Sequence, residues 1–305
     1  MPELPEVETI ARGVHERVRG DRIVHAWFSG FPQPFKTPPG MQAEGLEGRV
    51  VLGVHREGKH IVVELGGVSD VLSHPFGSAQ GRLHHKNPPR RMVRVGHPAD
   101  GEPQAQWIVH LGMTGRLLVT TTDGPVAAHT HARLSLASGR ELRFVDPRRF
   151  GRLEFRDLRR SAGFGATGTE PLTIEAEQFA SLFRRRKLSI KAALLNQTLL
   201  AGVGNIYADE SLFRAGIRPG RRAGRLTRAE LERLRLSLRE VLRHAIQLGG
   251  SSVSDYVDAD GVRGFFQLRH CVYLRTGLPC LRCETPIKRI VLAGRGTHYC
   301  PNCQH

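Results

Sequence analysis

The 305 residues carry 45 Lys and Arg against 29 Asp and Glu, a formal net charge of +16, and are 40% hydrophobic. That composition excludes wholesale disorder, collagen and coiled coil, and the length suggests two domains. A basic excess of this size (pI about 10.7) produces a positive field that attracts nucleic acid or an anionic membrane, and without a basic amphipathic helix bearing an aromatic face, nucleic acid is favoured.

The opening Met1-Pro2-Glu3-Leu4-Pro5-Glu6 is acidic and proline-rich where a secretory signal is basic and then apolar. No run of about 18 apolar residues is present to span a membrane, and a cytoplasmic protein is expected. Val7, Ile10, Val14 and Val18 then recur at helical spacing behind Pro5 and a Glu-rich first turn, which predicts a short helix. Residues 22–28, 49–54, 60–65, 107–111, 116–121, 132–136 and 141–145 are β-branched or alternating runs divided by Gly, Pro and Asp turns. Short strands at that spacing predict a β-sandwich. Residues 73–106 interrupt them with five Pro, four Gly and four His, and a mobile insertion is expected there.

A Gly-, Ser- and Thr-containing stretch at 160–174 marks the domain boundary, and from about 175 the pattern turns helical, with Leu188, Ala192 and Leu195, then Leu212 and Phe213. Leu200 to Ala208 is a glycine-rich turn between two helical patterns. It is either a plain turn or one that leaves backbone N–H groups at a helix start, where a phosphate fits. Thr227-Arg228-Ala229-Glu230 is a capping box ahead of Leu231, Leu234, Leu238, Val241, Leu242 and Ala245, and Gly249-Gly250 ends that helix.

Four of five cysteines fall in the last 26 residues. Cys280-x2-Cys283 and Cys300-x2-Cys303 have the spacing of two knuckles that offer four thiolates to one structural Zn2+. A pair of reduced thiol turns is the alternative. Cys271, in Cys271-Val272-Tyr273-Leu274, reads as a small buried hydrophobe. The fold class is therefore α+β, divided as 1–160, 175–270 and a finger at 271–305.

The opening Met-Pro-Glu-Leu-Pro-Glu-Val-Glu-Thr, His110-Leu-Gly-Met-Thr-Gly115, Asp146-Pro-Arg-Arg-Phe-Gly151, the stretch Gly202 to Leu212 and the four-Cys finger resemble the bacterial formamidopyrimidine-DNA glycosylases. The motifs stand in the family's order over nearly the whole chain, apart from the insertion. The resemblance implies an N-terminal catalytic β-sandwich with flanking helices, a helix-two-turn-helix domain and a zinc-finger β-hairpin. It implies a monomeric enzyme that excises oxidised purines, such as 8-oxoguanine and formamidopyrimidines, from duplex DNA and cuts the strand by β,δ-elimination.

The resemblance also carries site roles. Once Met1 is removed, Pro2 presents a secondary amine, and an N-terminal amine of pKa about 7.7–8.0 keeps a neutral fraction that can form an iminium with a sugar carbon. Glu3 then serves as the proton donor at the opened sugar. Lys59 and Arg295 match the phosphate-gripping groups assigned to β- and δ-elimination, with His60 after the lysine where the family more often has an aromatic. Asn205 matches the phosphate partner from the helix-two-turn-helix, and Glu6 an acid near the lesion pocket. Met113, Arg148 and Phe150 match the residues that fill the gap left by a flipped base, and His129 and Arg186 match DNA contacts. The lesion loop would lie around residues 251–266. Two other readings stay open: an endonuclease VIII-like glycosylase for oxidised pyrimidines, from which Leu4 departs, and a non-catalytic zinc-ribbon DNA-binding protein.

Overall fold

The computed structural model describes residues 2–31, 34–68, 101–252 and 257–305. Most of the predicted insertion, and residues 253–256 of the predicted lesion loop, lie outside the described residues. The insertion's predicted end is not loop: Ala105 and Gln106 already belong to a strand.

Helix α1 (Leu4–Val18) starts where the sequence offers Pro5 and Glu6. Glu6 closes the helix start by accepting from Glu3 N–H at 2.8 Å, and Val7, Ile10, Ala11, Val14 and Val18 bury one face. Two antiparallel four-stranded sheets follow. One has the order β1 (Ile23–Phe28), β6 (Thr130–Leu136), β7 (Arg140–Val145), β5 (Arg116–Thr121). The other has the order β2 (Arg49–Glu57), β3 (His60–Val68), β4 (Ala105–His110), β8 (Arg152–Asp157). Side chains from both sheets and from α1 form a single core around Trp107 and Phe144. Two elements lack a counterpart in the sequence reading. Helix α2 (Pro39–Leu46) buries only Gln42 and Leu46, so it shows no helical stripe, and β8 is an edge strand with two apolar residues among four charged ones. Tertiary packing makes both: Gln42 accepts from buried Trp107 Nε1 at 3.1 Å, and β8 completes the ladder on β4.

The C-terminal part packs α3 (Ala176–Phe183), α4 (Ile190–Leu195), α5 (Asn205–Ala215) and α6 (Arg228–Gln247) around a second core. The Thr227–Glu230 capping box forms as read, with Thr227 N–H donating to Glu230 at 2.8 Å, and Gly249 and Gly250 end α6 at φ of 72° and 82°. A hairpin of β9 (Lys288–Leu292) and β10 (Arg295–Tyr299) closes the chain. Among the described residues no helix is long and apolar enough to cross a membrane.

The two cores exchange residues. Leu4, on α1, packs in the C-terminal core, and Ala259, beyond α6, packs in the N-terminal one. Arg56 on β2 adds a tie, bonding Glu8 of α1 at 2.8 Å and Glu170 of the interdomain segment at 2.9 Å. Glu210, buried on α5, accepts from the backbone N–H groups of Cys271, Val272 and Tyr273 at 2.8–2.9 Å and so fixes the entry to the finger. Cys271 itself is half-buried, not buried, because its backbone faces Glu210 while its side chain lies at the rim of the finger's small core. Glu210→Ala leaves three amides without an acceptor, at about 1–3 kcal/mol for each one that stays buried. The free energy of unfolding in urea should fall by about 1–3 kcal/mol, and amide exchange at Cys271, Val272 and Tyr273 should accelerate most.

Candidate active site

Glu3 is 6% exposed at the start of α1, and its Oε1 lies 3.5 Å from Ile206 N–H in the first turn of α5. The turn before α5 is shaped around it: a Cβ on Gly204 would sit 2.0 Å from Glu3 Cδ, so any larger residue there would push the carboxylate from its place. Leu4 N–H bonds Gly202 O at 3.0 Å and sets the register of the contact. The glycine-rich turn that the sequence offered to a phosphate thus holds a carboxylate of the chain's own N-terminus, for the same reason: free amides and a positive helix end. Burial raises the Glu3 pKa to about 7, the nearby Lys59 cation opposing and Glu6 adding to the rise. Pro2 is buried immediately ahead of it.

Lys59 sits in the two-residue turn between β2 and β3, where Gly58 supplies the positive φ of 59°. The turn presses against the second domain at Ala166 and Ala201. Burial lowers the Lys59 pKa, the Glu3 carboxylate pulls it back up and the Arg295 cation lowers it further, so three of the predicted residues share one field. Glu6, 2% exposed, bonds Glu3 N–H, the Tyr207 hydroxyl and, at 2.7 Å, Ser251 N–H. Burial raises its pKa against these bonds. Its carboxylate is engaged by the two domains and by the first residue after the α6 glycines.

Arg295 is exposed on the first residue after a tight turn whose Ala293 and Gly294 both have positive φ, 49° and 72°. The strand behind it is anchored in depth. Lys191 of α4, fully buried, donates to Gly296 O at 2.9 Å and Thr297 Oγ1 at 2.8 Å, and pairs with buried Asp209 of α5 at 2.7 Å. Asp209 also accepts from His298 N–H at 2.9 Å, and Asn205 Nδ2 donates to Gly296 O at 3.0 Å. Arg295, Asn205, Glu3 and Lys59 are therefore brought to one junction between the domains. The finger's four Sγ atoms lie within 4.8 Å of one another, with Cys283–Cys300 at 3.5 Å, Cys283–Cys303 at 3.3 Å and Cys280–Cys303 at 3.9 Å. Four thiolates at about 2.3 Å from one tetrahedral Zn2+ have edges near 3.8 Å, so the set fits one structural zinc ion.

The remaining candidates form a second group on the sandwich. The β4–β5 and β7–β8 loops meet backbone to backbone at Gly112 and Phe150, and buried Asp146 ties them together. It accepts from Thr114 Oγ1 at 2.6 Å and Gly151 N–H at 2.8 Å, and its own N–H donates to His129 O at 3.0 Å. From this base Met113 and Phe150 project into solvent, 41% and 47% exposed, and the Arg148 guanidinium stacks 4.8 Å over the Phe150 ring. Exposure of this size is not that of core residues. Arg186 stands apart from both groups, its guanidinium on Leu182 O and its backbone on Gly224.

Sequence reasoning missed Lys191, Asp209, Asp146 as a hub, and Tyr207. A signal existed for two of them: Lys191 interrupts the apolar run Ile190 to Leu195, and Asp209-Glu210 are adjacent acids between the runs Ile206-Tyr207-Ala208 and Leu212-Phe213. Cys283→Ser should abolish zinc retention by elemental analysis and loosen the β9–β10 hairpin, while the circular dichroism of the sandwich persists. Retained zinc would remove the metal assignment.

Three family models cover the chain: the formamidopyrimidine-DNA glycosylase N-terminal domain over residues 1–153, its H2TH domain over 167–257, and a zinc finger found in FPG and IleRS over 277–305. A formamidopyrimidine-DNA glycosylase of Solibacter usitatus is 42% identical over 306 residues, spanning 100% of this chain and 99% of that protein. The crystal structure of Lactococcus lactis Fpg with DNA containing an abasic site superposes at a TM-score of 0.79 with 32% identity, covering 99% of each chain. A variant of the same enzyme with Fapy-dG DNA gives 0.79 and 31%, covering 100% of each. With its three domains in order and its full length matched, the chain belongs to the formamidopyrimidine-DNA glycosylase family.

Proposed function

We propose that this glycosylase acting on damaged DNA is bifunctional, removing oxidised purines through a Schiff base on Pro2 and then cutting the strand as an AP lyase. The observation that carries this reading is the buried Glu3 carboxylate, placed between Pro2 and the α5 N-terminus with its pKa raised to about 7. An ordinary glutamate is ionised at neutral pH and cannot donate a proton, whereas one at about 7 is half protonated there and can. With Met1 removed, the Pro2 nitrogen attacks C1′, the damaged base leaves, and Glu3 protonates the sugar oxygen as the ring opens to the iminium. Lys59 and Arg295 hold the flanking phosphates and assist the two eliminations, with Asn205 as their partner. Met113, Arg148 and Phe150 fill the gap in the stack, and His129 and Arg186 contact the backbone. Glu6, bonded on three sides, fixes the end of α1 and the start of the lesion-reading segment 251–266.

In this reading base excision belongs to the sandwich, 1–160, and the grip on the strand to the helical part, 175–270, with the finger, 271–305, which also brings Arg295 to the eliminations. The work is done in the cytoplasm on nucleoid DNA. The Lactococcus lactis complex with Fapy-dG DNA supports an oxidised purine as a substrate, while the same enzyme is also solved with oxidised-pyrimidine DNA, so the preference for purines rests on the sequence resemblance.

Two measurements test it. Gly204→Ala introduces a methyl 2.0 Å from Glu3 Cδ and must displace the carboxylate. Excision of 8-oxoguanine should fall about 100-fold or more while DNA affinity is kept, since a misplacement of about 1 Å costs that much. Unchanged excision would take Glu3 out of the chemistry. Borohydride should trap wild-type protein on lesion DNA through Pro2, and a chain retaining an extra N-terminal residue, with its proline nitrogen in an amide, should bind but neither trap nor cut. An adduct mapping to Lys59 would move the nucleophile.

A further inference from the structure

Between α6 and the short 3-10 turn at Phe266–Arg269, the described residues 251–252 and 257–265 form an excursion from the C-terminal domain. The base of this excursion is stitched: Phe265 N–H bonds Leu248 O at 2.9 Å, Phe266 N–H bonds Gly250 O at 3.0 Å, and Gly264 N–H bonds Ser252 Oγ at 2.8 Å. Its far end is self-contained. Asp258 Oδ1 accepts from both Asp260 N–H and Val262 N–H at 2.9 Å, Asp258 N–H bonds Val262 O at 2.8 Å, and Gly261 supplies a φ of 80°.

This preformed tip sits on the other domain. Ala259, 2% exposed, lies in the sandwich core, and its carbonyl accepts from Val119 N–H of β5 at 3.0 Å. It fits because α1 has Gly13 opposite: a Cβ there would stand 3.3 Å from Ala259 Cβ. One turn along α1, Arg17 pairs with Asp260 and donates to Gly13 O at 2.6 Å. The same helix holds the start of the excursion through Glu6 and Ser251 N–H. An exposed ion pair contributes little by itself, so the buried methyl and its backbone bond decide the docking.

We propose that Gly13, Arg17, Ala259 and Asp260 form a latch that positions the lesion-reading segment against the sandwich, making them specificity-determining residues remote from the chemistry. This rests on the role proposed above for residues 251–266. α1 carries Glu3 at one end and the latch three turns on, so the segment and the proposed acid are referenced to a single rigid element. A base is then read at a fixed distance from the group that acts on its sugar.

Ala259→Arg cannot enter the site beside Gly13. Amide exchange at Val119 should accelerate, and kcat/KM for excising 8-oxoguanine from duplex should drop about tenfold or more, in line with the cost of small misplacements. Cutting at a ready-made abasic site, which has no base to read, should stay within about twofold of wild type. Should Ala259→Arg fail to fold, Asp260→Lys, which sets like charge against Arg17, should give the same selective loss at smaller size. Equal losses on both substrates, a Val119 amide still protected in the variant, or full excision with Val119 freed would each overturn the latch. A wild-type protein that excises no base would instead overturn the proposed function, with Val119 exchange still reporting whether the tip docks.

Discussion

Two carboxylates taken out of water at the meeting of α1 and α5 constrain the rest of the molecule. Burying a carboxylate is costly unless donors surround it: Glu6 obtains its donors from both domains, whereas Glu3 has one amide of α5 and a buried Oε2 without a partner among the described residues, which goes with its raised pKa. Glu3 has the first turn of α5, and Glu6 has Glu3 N–H, the Tyr207 hydroxyl and Ser251 N–H. The Glu6 set is complete in neither the separate sandwich nor the separate helical domain. The domains are therefore held in register by the need to satisfy these acids, and the exchange of Leu4 and Ala259 between the cores adds apolar contact to the same joint. A stretch of six residues at the N-terminus thereby fixes the geometry of a chain of 305.

The finger depends on that joint at one remove. Zinc organises four thiolates and the knuckles that carry them, but the metal does not aim Arg295. Aim comes from the buried Lys191–Asp209 pair and from Asn205, which hold the strand beginning at Arg295 through Gly296, Thr297 and His298. Removing one partner of such a pair costs about 3–5 kcal/mol because a lone buried charge remains, so α4, α5 and β10 behave as one block. Since α5 also receives Glu3, the arginine's strand and the acid are placed by one helix start.

Legibility in the sequence followed the range of the interactions. The Thr227–Glu230 cap, the α6 stripe, seven strands and the cysteine knuckles are local signals, spaced by the geometry of one element, and they stood out. Helix α2 and β8 did not, because their stability is borrowed: Gln42 from Trp107, and β8 from β4. The candidate residues were recognisable only as a set of separated motifs. Nothing in Lys59 or Arg295 alone distinguishes a cation coupled to the site from a solvated one, and the partners Lys191 and Asp209 lie 18 positions apart without any period to link them. The insertion's distal end was misread for a similar reason, since Ala105-Gln106 carries no strand signal until β3 and β8 flank it.

The charge of the chain and the acidity of its site act in the same direction. Burial raises the pKa values of Glu3, Glu6 and Glu210, and for Glu3, raised to about 7, the proton held by part of the population near neutral pH adds to the formal +16. For a raised carboxyl the sign is definite: the protonated form is favoured in the folded chain, and ionising it as pH rises through the folded value costs stability. A polyanion laid across the junction adds negative potential there, which disfavours ionisation further. DNA binding and protonation of Glu3 are therefore linked so that each promotes the other. The same backbone phosphates that draw the protein through its basic surface would load the proposed acid with the proton that ring opening requires, and leave it ionised and better solvated when the strand departs.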